Sequence, residues 1–152
     1  MRHSLPDRSP LVPPDLRFPI DVRIPSDLRL IEPLVGAVIR DCAAHRLAAH
    51  HCALNVPVAL TEALSNAILY GNLLDRAKYV RLRVTVDERC IVFEVTDEGS
   101  GFDLEQCTTD PTTAENVARE DGRGLFLMRC LMDRVERYTD GGNVVRLTLL
   151  RL

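Results

Sequence analysis

The sequence predicts an α+β protein: a two-layer α/β sandwich with helices on one side of a mixed, mostly antiparallel sheet. Three observations point there. Val80, Leu82, Val84 and Val86 alternate with Arg81, Arg83 and Thr85, the period of a strand with one buried face. Leu30, Ile31, Leu34, Val35, Val38 and Ile39, and again Val56, Leu60, Ala63, Leu64, Ala67 and Ile68, recur at the spacing of one helix face. Asp140-Gly141-Gly142-Asn143 then separates two short apolar runs, as in a hairpin. Strands and helices of these lengths need to cover one another's apolar faces, which gives two layers.

Taken in order, residues 1–17 carry Pro6, Pro10, Pro13 and Pro14 among charges and read as a flexible leader, leaving residues 18–152 as one domain. Phe18 to Ile24 alternates and reads as a first strand. Ser26 is the expected cap of the first helix, and Pro33 means that this helix either begins near Glu32 or bends there. Asn55 before Val56-Pro57 marks the start of a second helix that runs to about Tyr70 and ends at Gly71-Asn72. The strand from Val80 turns at Asp87–Arg89 and returns as a more apolar, more central strand, Cys90 to Thr96. A third helix is expected from Leu125 to Met132, followed by the hairpin strands Val135–Tyr138 and Val144–Leu152.

Composition excludes several classes. The chain has 152 residues, enough for one domain with a single core, and a formal net charge of -3 that offers no general attraction to nucleic acid or anionic lipid. No apolar stretch approaches the roughly 20 residues of a membrane helix, and nothing resembles a secretory signal, so a cytoplasmic protein with no membrane partner is expected. The five cysteines are scattered, without a C-x-x-C pair, and read as reduced small apolar residues. Lys78 is the single lysine and lacks the glycines of a phosphate-binding P-loop, so that solution is closed. Cys42, His45, His50, His51 and Cys52 lie near one another but lack paired zinc spacing, and no metal site is expected of them.

Three segments carry chemistry. Glu62 and Asn66 are four residues apart on the second helix, so both emerge on one face, a turn apart. Asn66 offers an amide oxygen to a hard cation such as Mg²⁺, and Glu62 a carboxylate able to accept a proton from an attacking hydroxyl or water. An isolated pair of this kind is most often a solvated polar stripe; the other two segments change that reading. Asp97 ends the central strand before Gly99 and Gly101, where a carboxylate can accept a hydrogen bond from an exocyclic amino group and the glycines admit close backbone approach. Gly122 and Gly124 stand at the expected start of the third helix, whose first amides have no internal partner and suit phosphate. Arg123 between them either adds charge to that cradle or points to solvent. The threonine-rich stretch between Gly101 and Gly122 is long for a compact domain and reads as a functional lid or a disordered loop.

With Glu62–Asn66 as an N box, Asp97–Gly101 as a first glycine box and Gly122–Gly124 as a second, the chain resembles the GHKL (Bergerat-fold) ATPases, the superfamily of gyrase, MutL and histidine kinases. It is most similar to the RsbW/SpoIIAB-type anti-sigma factor serine/threonine kinases, over about Phe18 to Leu150, including Gly124-Leu125-Phe126-Leu127-Met128 and Gly142-Asn143-Val144-Val145. The resemblance implies ATP and Mg²⁺ as cofactors, Glu62 as general base, Asn66 as the magnesium ligand and Asp97 as the reader of the adenine amino group. It implies Gly99, Gly101, Gly122, Arg123, Gly124 and Leu125 around the nucleotide, and Thr148 as a polar support of the adenine contact. Tyr70 departs from the histidine that many relatives carry. The implied partners are a sigma factor, a STAS-domain anti-anti-sigma protein whose serine is phosphorylated, and a second copy in a homodimer, with no direct nucleic-acid contact. A histidine-kinase module would need a phosphoacceptor histidine on a helix ahead of the domain, where there is only His3. A topoisomerase or chaperone ATPase would need a further domain. A partner-binding module that has lost phosphoryl transfer is disfavoured by the retained Glu62.

Overall fold

The computed structural model describes residues 12–13, 15–99 and 120–151. Five strands, β1 (Ile20–Pro25), β2 (Tyr79–Val86), β3 (Cys90–Asp97), β4 (Arg134–Thr139) and β5 (Asn143–Leu150), form one sheet in the order β1-β2-β3-β5-β4. Every neighbouring pair among them is antiparallel, so the parallel component expected of a mixed sheet is not found among the described residues. The reason is topological: β5 returns between β3 and β4 and separates the two strands that run the same way.

Alternation decides the faces. On β2 and β3, Val80, Leu82, Val84, Ile91, Phe93 and Val95 are all buried, and Leu147 and Leu149 continue that face on β5. The helices cover it. A short turn, Leu28–Leu30, leads into α1 (Ile31–Ala44), and the long helix α2 (His51–Gly71) packs between α1 and α3 (Glu120–Leu131). Leu34, Val38, Leu60, Leu64, Ile68, Leu125 and Met128 interlock with the sheet in one hydrophobic cluster. Truncating a fully buried leucine such as Leu60 to alanine in such a cluster costs about 2–5 kcal/mol.

Several expected boundaries move. Asp27 caps the short turn Leu28–Leu30, its carboxylate accepting from the Arg29 amide, while α1 itself follows Leu30 without a side-chain cap and Ser26 turns inward. Pro33 falls in the first turn of α1, where a missing amide costs nothing. The leader is not free up to residue 17, because Val12 is buried and Leu16 and Phe18 pack on the cluster. α2 does not begin at Asn55, whose backbone is helical at φ -59, ψ -53. The helix continues back to His51 through a wide turn in which the Val56 amide donates to the His51 carbonyl. That five-residue step lies immediately ahead of Pro57 and accommodates the amide that proline lacks. A second wide turn, Ala67–Gly71, closes the other end.

The extended helix also corrects the expectation about apolar length. At 21 residues and a mean hydropathy of 1.3, His51–Gly71 is long and apolar enough to cross a membrane by composition alone. Here its apolar face is spent on the core: Val56, Ala59, Leu60, Ala63, Leu64, Ala67 and Ile68 are buried against neighbours. α3 likewise starts earlier than expected, at Glu120, so Gly122 and Gly124 lie inside its first two turns rather than before it.

Candidate nucleotide site

α2 brings Glu62 and Asn66 to the face that meets α3. Asn66 is buried, Glu62 half-buried, and both bear on Gly124. A Cβ placed on Gly124 would stand 2.6 Å from the Glu62 Oε2 and 3.5 Å from the Asn66 Nδ2. Glycine at this position therefore leaves the Glu62 carboxylate in place where α3 approaches the polar face of α2. Asn55 secures the same approach from the other end, its Nδ2 donating at 2.7 Å to the carbonyl of Leu131, one of the carbonyls that a helix end leaves unsatisfied. Beside Gly124 opens a cleft of about 410 Å³ lined by Glu62, Ser65, Asn66, Leu69, Tyr70, Gly124 and Leu127.

Asp97 does not line this cleft and lies against the C-terminal end of α2. Its carboxylate is 3% exposed at the last position of β3, on the face turned to the helices. Oδ1 accepts from the Gly99 amide at 2.9 Å and from Asn143 Nδ2 at 2.9 Å, and the same Asn143 nitrogen donates to the Gly99 carbonyl at 2.8 Å. A Cβ on Gly71 would overlap Asp97 Cγ and Oδ2, so the end of α2 lies directly on the carboxylate. One on Gly99 would overlap the Gly71 carbonyl. The chain thus crosses itself at two glycines: a side chain at Gly71 would push Asp97 away, and one at Gly99 would push against the backbone of Gly71.

The expected residues divide accordingly. Glu62, Asn66 and Gly124 come together, and so do Asp97 and Gly99. Leu125 does not line the cleft: it is 1% exposed and packs in the core, while Leu127, two positions on, provides the wall. Thr148 does not support Asp97. It stands between Leu147 and Leu149, which face the helices, and so belongs to the opposite face of the sheet, paired across to Val92 and Arg134. The polar support is instead Asn143, directly opposite Asp97 in the β3–β5 register. Gly122 lies in the first turn of α3. Gly101, the lid stretch and the side chain of Arg123 lie outside the described residues.

Three residues escaped sequence reasoning. Asn143 looked like part of a turn, and Gly71 and Asn72 like a helix stop. The available signal was register: counting back along a hairpin from Asp140-Gly141-Gly142 places Asn143 at the head of the strand that neighbours β3. The histidine and cysteine group is also resolved. His51 is buried, with His50 set edge-on at 4.2 Å between ring centroids. Burial first, then His50, pushes the His51 imidazole below its usual range, with Asp133 opposing. Burial likewise drives the Cys42 thiol up to about 12, so it is a small apolar core residue.

A sheet covered on one face by three helices, with an acid–amide pair on one helix, a buried aspartate at a strand end and glycines where helices approach, defines a nucleotide-binding ATPase domain. The family described as the histidine kinase-like ATPase domain matches residues 24–149, and the chain belongs to it. Among individual proteins it is similar to the serine-protein kinase RsbW of Bacillus subtilis, 32% identical over 99 residues and covering 62% of each chain. It is similar to the RsbW of Bacillus pumilus at 35% identity over 101 residues, again 62% of each. It is also similar to the anti-sigma F factor of Clostridium perfringens, at 30% over 87 residues, 57% of this chain and 62% of that one. The chain therefore spans about three fifths (62%) of the length of these relatives.

Proposed function

We propose that this protein is an ATP- and Mg²⁺-dependent serine/threonine kinase of the anti-sigma type, acting as a homodimer in the cytoplasm. In this reading it binds a sigma factor and phosphorylates a serine of a STAS-domain anti-anti-sigma protein. The observation that carries it is the convergence of Glu62 and Asn66 on Gly124, with Asp97 held at the far side of the same helix by Gly71. The residues present fit a magnesium nucleotide, because the space a Cβ would fill at Gly124 is kept open beside a carboxylate and an amide.

ATP supplies the phosphoryl group, and Mg²⁺ neutralises charge on its oxygens. Asn66 would hold the cation through its amide oxygen. Asp97, with Oδ1 already occupied twice, would present Oδ2 to an exocyclic amino group. The amides of the first turn of α3 would receive phosphate oxygens. Glu62 would take the proton of the attacking serine hydroxyl as its oxygen bonds to the γ-phosphorus, while the bond from that phosphorus to the bridging oxygen breaks and ADP leaves with the electron pair. The names of the relatives support the regulatory half of the proposal, since one is a serine-protein kinase and another an anti-sigma factor.

Incubating the purified protein with radiolabelled ATP, Mg²⁺ and a folded STAS-domain protein encoded beside it tests the proposal. Serine label on the STAS protein is expected. Nucleotide binding without any label would leave a nucleotide-responsive binding module and reject the kinase.

A further inference from the structure

Asn72 is fully buried immediately after α2, and every polar atom of its side chain is committed. Its Nδ2 donates to Ser26 Oγ at 3.0 Å and to the Tyr79 carbonyl at 3.0 Å, while its Oδ1 accepts from the Glu98 amide at 2.8 Å. The orientation of the amide follows from its partners, because a backbone N–H can only donate and a carbonyl can only accept. Ser26 Oγ passes the chain of bonds on to the Lys78 carbonyl at 2.8 Å. One amide therefore joins the ends of α2, β1 and β3 and the start of β2.

Its neighbours in sequence matter as much as its partners. Gly71, one residue before, lies against the Asp97 carboxylate, and Glu98, whose amide Asn72 binds, is one residue after Asp97. Asn72 thus grips both strands of the crossing that holds the aspartate. Immediately after it, Leu73 and Leu74 take left-handed backbone at φ 53 and φ 59, unfavourable for leucine and tolerated only where the surroundings fix the chain.

Resting on the nucleotide reading above, we propose that Asn72 is the positioning residue of the purine end. It seats the Asp97–Glu98–Gly99 turn against Gly71 and so fixes the carboxylate oxygen that distinguishes adenine from guanine. Adenine offers a 6-amino donor to a carboxylate, whereas guanine offers a 6-oxo acceptor that a carboxylate repels. Discrimination of this kind depends on the carboxylate being unable to swing aside.

The test is competition binding of ATP and GTP, each with Mg²⁺, to wild type, Asn72→Ala and Ser26→Ala, with folding followed by circular dichroism. Asn72→Ala is expected to lose about tenfold of the preference for ATP, the scale of one charge-assisted hydrogen bond. Ser26→Ala removes the outer link but leaves the Glu98–Asn72 bond, so it should melt earlier and keep the preference. A merely structural role would lower binding of both nucleotides together. Wild type binding neither nucleotide overturns the nucleotide reading and this proposal with it. Wild type preferring ATP while folded Asn72→Ala keeps that preference overturns this proposal alone, as does an equal loss in Ser26→Ala. Should Asn72→Ala not fold, amide exchange of wild type decides: slow exchange at Glu98 without nucleotide supports the seat, and fast exchange overturns it.

Discussion

The two ends of the proposed nucleotide site are built by different means. At the phosphate end, Glu62 and Asn66 owe their placement to helix periodicity and to one close approach of α3 at Gly124. At the purine end, Asp97 is held by the Gly99 amide, by Asn143 and by the backbone of Gly71, with Asn72 behind them. The first is an open cleft whose acid is a long side chain on a rigid helix. The second is a buried crossing of three chain segments in which the acid is short and already bonded. A carboxylate beside an open cleft suits a group that moves a proton, and one buried and held by several bonds suits recognition.

Substitutions should separate the two. Glu62→Ala is expected to lower phosphoryl transfer by about 10²–10⁴-fold, the usual contribution of a general base, and to leave Mg-ATP binding close to wild type. Single-turnover labelling beside a binding titration measures both, and equal turnover would remove Glu62 from the chemistry. Gly71→Ala comes next. Its Cβ meets a carboxylate that Gly99 and Asn143 keep from retreating, so a loss of about 1–3 kcal/mol of stability is expected together with weakened adenine nucleotide binding. Denaturant unfolding and titration would show the two losses in one variant.

Gly124→Ala sharpens the contrast. There the Cβ meets Oε2 at the far end of the Glu62 side chain, which can rotate away. The melting temperature should barely change, while transfer falls on the order of tenfold because the base is displaced. A large loss of stability would show that α3 is as firmly locked as Asp97. The smallest effect concerns the helix that both ends share. Burial pushes the folded His51 imidazole below its ordinary value of 6.5, so the unfolded chain takes up the proton first. Stability should be fully present above about pH 6.5 and fall as pH drops below it. His51→Gln should flatten this slope in melting curves taken across that range. The ATP preference should be the same before and after, since α2 serves both ends.

Much of this was legible beforehand where a local rule decides. Strand alternation in β2 and β3, the apolar stripes of α1 and α2, and the one-turn spacing of Glu62 and Asn66 follow from periods of two and 3.6 residues. The misplacements share another cause. Pro57 reads as a start signal, yet a wide turn lets the helix continue past it to His51. Ser26 reads as a cap, yet its hydroxyl is drawn inward by a residue far along the chain, Asn72. Thr148 is polar and on the right strand, but a one-residue difference in register puts it on the wrong face and Asn143 on the right one.

The amino-acid order by itself determined the layers, the helix face carrying Glu62 and Asn66, and the strand that ends in Asp97, since each depends on side chains only a few positions apart. Tertiary structure decided which polar groups meet: Gly124 against Glu62, Gly71 against Asp97, Asn143 and Asn72 behind the aspartate. Those contacts join residues tens of positions apart, and their geometry is set by helix approach and strand register, which no local pattern encodes.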